Sequence, residues 1–183
     1  MRYETIKVEK LAGALGAQIS GVDLSKPLGN QSFQEVHDAL VENQVIFFRD
    51  QDLTPDQHKD FGRRFGSLHI HPAMGGIPGH PEILPLHSDA KKQYSANGWH
   101  SDVSCDPVPN MGAILLAKVL PKTGGDTMFA SMHAAYEDLS DKMQHFLSGL
   151  EAQHGCLHLF GPPKHENDKR PSAVHPVLRT HPV

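Results

Sequence analysis

Gly98-Trp99-His100-Ser101-Asp102-Val103-Ser104 sets a histidine and a carboxylate two residues apart in a stretch that reads as extended. In a strand, side chains at i and i+2 project from the same face. His100 and Asp102 are therefore expected side by side, within reach of one metal ion. An imidazole nitrogen and a carboxylate oxygen are two of the three donors in the facial set that holds non-haem Fe(II) with open positions beside it. Alone, the tripeptide is a weak signal, because short motifs recur by chance.

Downstream of this pair, Met111-Gly112-Ala113-Ile114-Leu115-Leu116-Ala117 reads as a core strand. Pro121-Lys122-Thr123-Gly124-Gly125-Asp126 is turn chemistry, and Thr127-Met128-Phe129-Ala130 reads as the returning strand. A helix is expected near Ser131, and Ser140 is placed to cap another. In that second helix Met143, Phe146, Leu147 and Leu150 form an i, i+3, i+4, i+7 stripe, which predicts core packing. The last thirty residues are polar and interrupted by Pro162, Pro163, Pro171, Pro176 and Pro182. Upstream, residues 72–97 are rich in Gly, Pro, His and polar side chains, with only residues 83–86 suggesting a strand. A loop of this length leading into His100 reads as a lid or as an irregular connection.

The N-terminal third alternates element types. Residues 6–8 suit a short strand, and Ala17-Gln18-Ile19-Ser20-Gly21-Val22-Asp23-Leu24 alternates as a half-buried strand does. Ser32 is placed to cap a helix with an apolar stripe of Phe33, Val36 and Leu40. Val45-Ile46-Phe47-Phe48 has the composition of a strand buried on both faces. Thr54-Pro55-Asp56-Gln57 predicts a helix start: Thr54 caps, Pro55 takes the first helical position, and Gln57 closes a capping box. Phe61 and Phe65 share that helix's inner face, and Gly66 stops it.

At 183 residues the chain is long enough for one domain with a real core. A formal charge of −4 argues against nucleic acid as its partner. The two cysteines, Cys105 and Cys156, have neither metal-ligand spacing nor a disulfide framework, which fits a reducing compartment. With no leader-like start and no apolar run of membrane-spanning length, a cytoplasmic protein is expected. The 14 histidines are mostly isolated, as surface histidines are.

Six segments together carry a resemblance. They are Gly16-Ala17-Gln18-Ile19-Ser20-Gly21-Val22-Asp23-Leu24, Gln44-Val45-Ile46-Phe47-Phe48-Arg49-Asp50-Gln51, His69-Ile70-His71-Pro72, Trp99-His100-Ser101-Asp102, Gly124-Gly125-Asp126-Thr127 and His175-Pro176-Val177-Leu178-Arg179-Thr180-His181-Pro182. In order and separation they resemble the N-terminal part of the taurine dioxygenase (TauD/TfdA) family over nearly the whole chain. The resemblance implies a mixed α/β but mainly β fold, a double-stranded β-helix (jelly-roll) with flanking helices. Residues 1–183 would form a single domain of this type, lacking its C-terminal strands.

The family further implies Fe(II), 2-oxoglutarate and O₂, with hydroxylation of a small organic anion and release of succinate and CO₂. By the same resemblance His100 and Asp102 match the first two iron ligands, and Thr127 matches the threonine that binds 2-oxoglutarate. His71 matches the histidine on the substrate's anionic group, and Phe160 an aromatic wall of the pocket. The third iron ligand and an arginine for 2-oxoglutarate are expected beyond Val183, since His175 and His181 match an earlier strand. As a complete protein a homo-oligomer, dimer or tetramer, is implied.

Met74 stands where the taurine enzymes have a tyrosine, Ala96 where they have an asparagine, and Leu159 where they have a small polar residue. These changes point to a substrate larger and less polar than taurine: a sulfonate, sulfate ester or carboxylate. Three other readings stay open at the level of sequence. His69 and His71 form an H-x-H pair that suits a metal in its own right. The H-x-D pair also suits a zinc hydrolase, and a non-catalytic relative would fit the absent ligands.

Overall fold

The structure, a computed structural model, describes residues 3–71, 74–89, 98–155 and 171–183. It is mixed α/β with small sheets. Two compact units form, the first from residues 1–68 and 114–138, the second from residues 69–113 and 139–183.

In the first unit, β1 (Lys7–Lys10) pairs antiparallel with β2 (Ala17–Ser20), and β2 pairs parallel with β3 (Ile46–Phe48). The alternating segment at 17–24 thus yields a strand only to Ser20, because Gly21 turns the chain at φ +90°. β3 lies at the end of the β1-β2-β3 order and is half-buried, not buried on both faces as its apolar run suggests. α1 (Asn30–Asn43) starts ahead of the expected Ser32 cap, with Gly29 at the N-cap. The Gly29 carbonyl accepts the Phe33 N–H at 2.9 Å, so the first turn closes without a side-chain cap.

α2 (Pro55–Arg63) forms as its sequence dictates. Thr54 accepts the Gln57 N–H, and the Gln57 side chain accepts the Thr54 N–H at 2.8 Å. Ile6, Ile19, Leu24, Val36, Ala39, Leu53 and Phe61 form the buried cluster between this helix, α1 and the sheet. Its aromatic seam runs Phe48–Phe61–Phe65, edge to face at 5.8 and 5.3 Å.

Two strands expected from apolar runs do not form. Residues 111–117 and 127–130 carry no strand, and Leu115 and Met128 are exposed. Apolar composition shows that a segment favours burial, but a strand also needs a second strand to pair with, and among the described residues neither run is paired with one. Residues 83–86 likewise form no strand, although the Ile83 carbonyl accepts the Ile77 N–H at 3.0 Å. α3 (Met132–Glu137) is capped by Ser131.

In the second unit α4 (Asp141–Ser148) is capped by Ser140, as predicted. Its stripe is not core, however: Met143, Phe146 and Leu150 are all exposed. Helical periodicity records a shared face but not what covers it. α4 leads into β4 (Glu151–Gly155), which pairs antiparallel with β5 (Ser172–Pro176). Among the described residues no helix is long and apolar enough to cross a membrane.

Candidate metal centre

His100 and Asp102 are brought together, though not by a strand. The segment is irregular at His100 and enters a turn at Asp102. Val103 follows in the left-handed region at φ +54°, a conformation that costs an L-residue roughly 1–2 kcal/mol. For a β-branched side chain this is a genuine outlier. The expected same-face geometry is replaced by a bend, and the adjacency survives: His100 Nε2 lies 3.4 Å from Asp102 Oδ1. Both side chains are more than half exposed.

The other ring nitrogen of His100, Nδ1, is 2.9 Å from the Gly98 carbonyl. A carbonyl only accepts, so Nδ1 carries a proton, and Nε2, on the Asp102 side, is the ring nitrogen left to take a metal. Fixing one imidazole nitrogen on a backbone carbonyl is how proteins orient a metal-binding histidine. Donors about 2.1 Å from an ion and at right angles to each other stand about 3 Å apart, close to the observed separation. The pair therefore suits two adjacent positions around Fe(II). Among the described residues no group of three His, Cys, Asp or Glu side chains converges on one point.

A second H-S-D tripeptide, which motif reading passed over, sharpens the comparison. His87 Nε2 is 3.1 Å from Asp89 Oδ2, closer than the first pair. Distance alone does not mark a metal site.

A closed turn is built behind Asp102. Asp106 N–H closes the turn onto the Val103 carbonyl at 3.0 Å. Cys105, buried in that turn, is disulfide-bonded. The expectation of no disulfide is thereby overturned, and with it the cysteine argument for a reducing compartment. Pairing depends on how close the fold brings two Cα atoms, which spacing in sequence does not record. Cys156, the other cysteine of the sequence, lies outside the described residues.

The H-x-H pair does not converge. The rings of His69 and His71 stand 6.5 Å apart and nearly perpendicular, and His69 Nε2 turns toward Asp106 Oδ2 at 3.8 Å. His71 Nδ1 accepts the Met74 N–H at 3.0 Å, so its proton sits on Nε2. Burial holds the His71 imidazole below the ordinary histidine value of 6.5. The neighbouring His69 pushes it the same way, and the Asp102 charge opposes them. His71 is thus a neutral donor at pH 7. Acidification forces a proton onto Nδ1 and breaks the Met74 bond, so this group's contribution to stability is present above pH 6.5 and lost as pH falls through the lowered value. An NMR titration of the His71 ring is expected to give a midpoint below 6.5; a midpoint at or above it would contradict this environment.

Thr127 is exposed and belongs to the first unit. Phe160, Leu159 and Ala96 lie outside the described residues. His175 lies on a strand, as the family resemblance has it, and sequence reading gave it no role at the site. It is buried, and its Nε2 lies 3.0 Å from the Ser104 carbonyl and 3.1 Å from the Asp106 carbonyl.

The family model described as "Taurine catabolism dioxygenase TauD, TfdA family" matches residues 7–183. An alkylsulfatase of Acinetobacter baylyi is 39% identical over 163 residues, covering 88% of this chain and 50% of the relative. An alpha-ketoglutarate-dependent sulfate ester dioxygenase of Pseudomonas putida is 33% identical over 192 residues, covering 97% of this chain and 63% of the relative. The crystal structure of a taurine dioxygenase from Burkholderia xenovorans superposes with a TM-score of 0.81 at 34% identity, covering 98% of this chain and 60% of that one. The chain thus spans between half and two thirds of the length of these three proteins.

Proposed function

The chain belongs to the TauD, TfdA dioxygenase family, and from that premise we propose that it carries the metal-binding part of an Fe(II)- and 2-oxoglutarate-dependent dioxygenase acting on a small organic anion. The observation that carries this reading is the His100–Asp102 pair, with Nε2 and Oδ1 at 3.4 Å and Nδ1 held by the Gly98 carbonyl. His100 and Asp102 would hold the iron. Bound there with 2-oxoglutarate and O₂, iron supplies the oxidation of a C–H bond to C–OH, coupled to formation of succinate and CO₂.

The remaining steps belong to the chain's own side chains. His71 donates its Nε2–H to an oxygen of the anionic head group and orients the substrate without a net charge of its own. Thr127 is assigned to a 2-oxoglutarate carboxylate, and Phe160 to the pocket wall, both on motif alone. For the complete domain the fold assigned is the double-stranded β-helix.

An organic sulfate ester or sulfonate with a larger apolar body than taurine is the substrate class proposed. Met74, half-buried beside His71, offers no hydrogen-bonding side chain. The names of the Acinetobacter and Pseudomonas relatives point to sulfate esters. Hydroxylation of the carbon that bears the ester oxygen gives a hemiacetal sulfate. Its C–O bond to sulfate breaks, the hydroxyl proton leaves, and an aldehyde and inorganic sulfate result.

Substrate-dependent succinate formation across taurine, alkyl sulfonates, alkyl sulfates and aryloxy carboxylates tests this directly. A medium-chain alkyl sulfate is expected to exceed taurine in kcat/KM by at least about tenfold, since a site lacking polar partners does not recover taurine's ammonium group. Taurine as the best substrate of the panel would overturn the pocket assignment.

A further inference from the structure

We infer that His175 is a positioning residue for the metal centre, holding the turn that presents Asp102. The inference rests on the reading that His100 and Asp102 bind the metal. Its basis is a set of contacts spanning about seventy residues of sequence and confined to the second unit.

The turn after Asp102 is held from outside at the Cys105 disulfide and at the two carbonyls that flank it. Val103 sits at φ +54°, where a β-branched residue relaxes toward extended backbone unless its neighbours are fixed. Relaxation there would swing the Asp102 carboxylate away from His100, because the two are joined through only one intervening residue. Within the turn, the Asp106 N–H to Val103 carbonyl bond closes one side. The carbonyls of Ser104 and Asp106 point outward, and His175 Nε2 reaches both, at 3.0 and 3.1 Å.

Both partners are acceptors, so Nε2 must carry the proton and the ring must be the Nε2–H tautomer. The ring is locked from behind as well. His175 lies opposite Ala152 in the β4–β5 ladder, which places His154 on the same face, and the His154 ring packs edge-on at 5.3 Å. A two-stranded hairpin thus delivers one buried N–H to two backbone oxygens two and four residues past the carboxylate ligand. With that nitrogen engaged, His175 serves the metal indirectly and not as a ligand.

The test uses Mn(II), read by electron paramagnetic resonance, with amide hydrogen exchange on the same full chain. His175→Phe keeps a ring for His154 and removes the donor; His175→Gln keeps a side-chain N–H. His175→Phe is expected to weaken Mn(II) binding about 10- to 100-fold, the range for lost orienting partners of a metal site. Exchange of the Asp106 amide should accelerate while the Ala173 amide, which faces β4 in the ladder, stays protected. His175→Gln is expected to restore binding to within about threefold of wild type on the same scale.

Mn(II) binding that is lost in Asp102→Ala but unchanged in His175→Phe would overturn the positioning role alone. Binding indifferent to Asp102→Ala would overturn the metal reading and this inference with it. Should His175→Phe also release the Ala173 amide, His175→Gln decides: near-wild-type affinity supports the role, and a loss equal to that of Phe refutes it.

Discussion

Alanine at His100 or Asp102 is expected to abolish 2-oxoglutarate-dependent succinate formation, with at least a ~100-fold loss of Fe(II) affinity, since even orienting partners of a ligand are worth 10–100-fold. Each substitution removes half of the donor pair that the structure supplies. Asp102→Ala also removes the anionic donor, leaving a lone neutral imidazole to hold a dication. The informative control is His87→Ala. His87 and Asp89 repeat the same tripeptide with a shorter contact, 3.1 Å against 3.4 Å. If adjacency were enough, both pairs would matter equally. His87→Ala is expected to leave turnover unchanged, because the metal assignment rests on His100, whose Nδ1 is held by the Gly98 carbonyl, and on Asp102, which the family motif matches. Wild-type succinate formation by either His100→Ala or Asp102→Ala would sink the metal assignment.

That contrast shows where sequence stops being informative. Residues that act on near neighbours were legible. Thr54 and Gln57 satisfy each other's backbone within one turn, so the start of α2 could be read from four letters. Ser131 and Ser140 cap their helices for the same local reason. The adjacency of His100 and Asp102 was also legible, although the extended geometry assumed for it was not what the chain adopts. Two residues apart, the side chains meet across a bend as they would on a strand, and a bend driven by Val103 at φ +54° leaves no mark in composition.

Contacts made across the chain were not legible. His175 was legible as part of a strand that is not the third iron ligand, but only the β4–β5 register delivers it to Ser104 and Asp106. Cys105 carried no pattern because a disulfide is decided by folded distance. The apolar runs at 111–117 and 127–130 misled for a related reason, since hydrophobicity states a demand for burial without naming the neighbour that meets it. The same ambiguity separates two phenylalanines that look alike in sequence, Phe61 on α2 and Phe146 on α4.

Phe61→Ala is expected to destabilise the first unit by about 3–5 kcal/mol, the range for emptying a buried aromatic site. Phe61 is 8% exposed and sits at the centre of the aromatic seam, edge-on to both Phe48 and Phe65. Truncation removes both ring pairs, each worth about 0.5–1.5 kcal/mol beyond area burial, and leaves a void against Leu24 and Leu53 in the same cluster. Phe146 is 63% exposed, so Phe146→Ala is expected to change stability by no more than about 0.5 kcal/mol. Because the chain forms two compact units, one melting temperature would blur the comparison. Native-state hydrogen exchange resolves it, with the Ile19 amide in β2 reporting the first unit and the Ala173 amide in β5 the second. A loss of several kcal/mol confined to Ile19 in Phe61→Ala would place the core where the structure has it. A comparable loss at Ala173 in Phe146→Ala would mean that the α4 stripe is packed after all, as its helical periodicity first suggested.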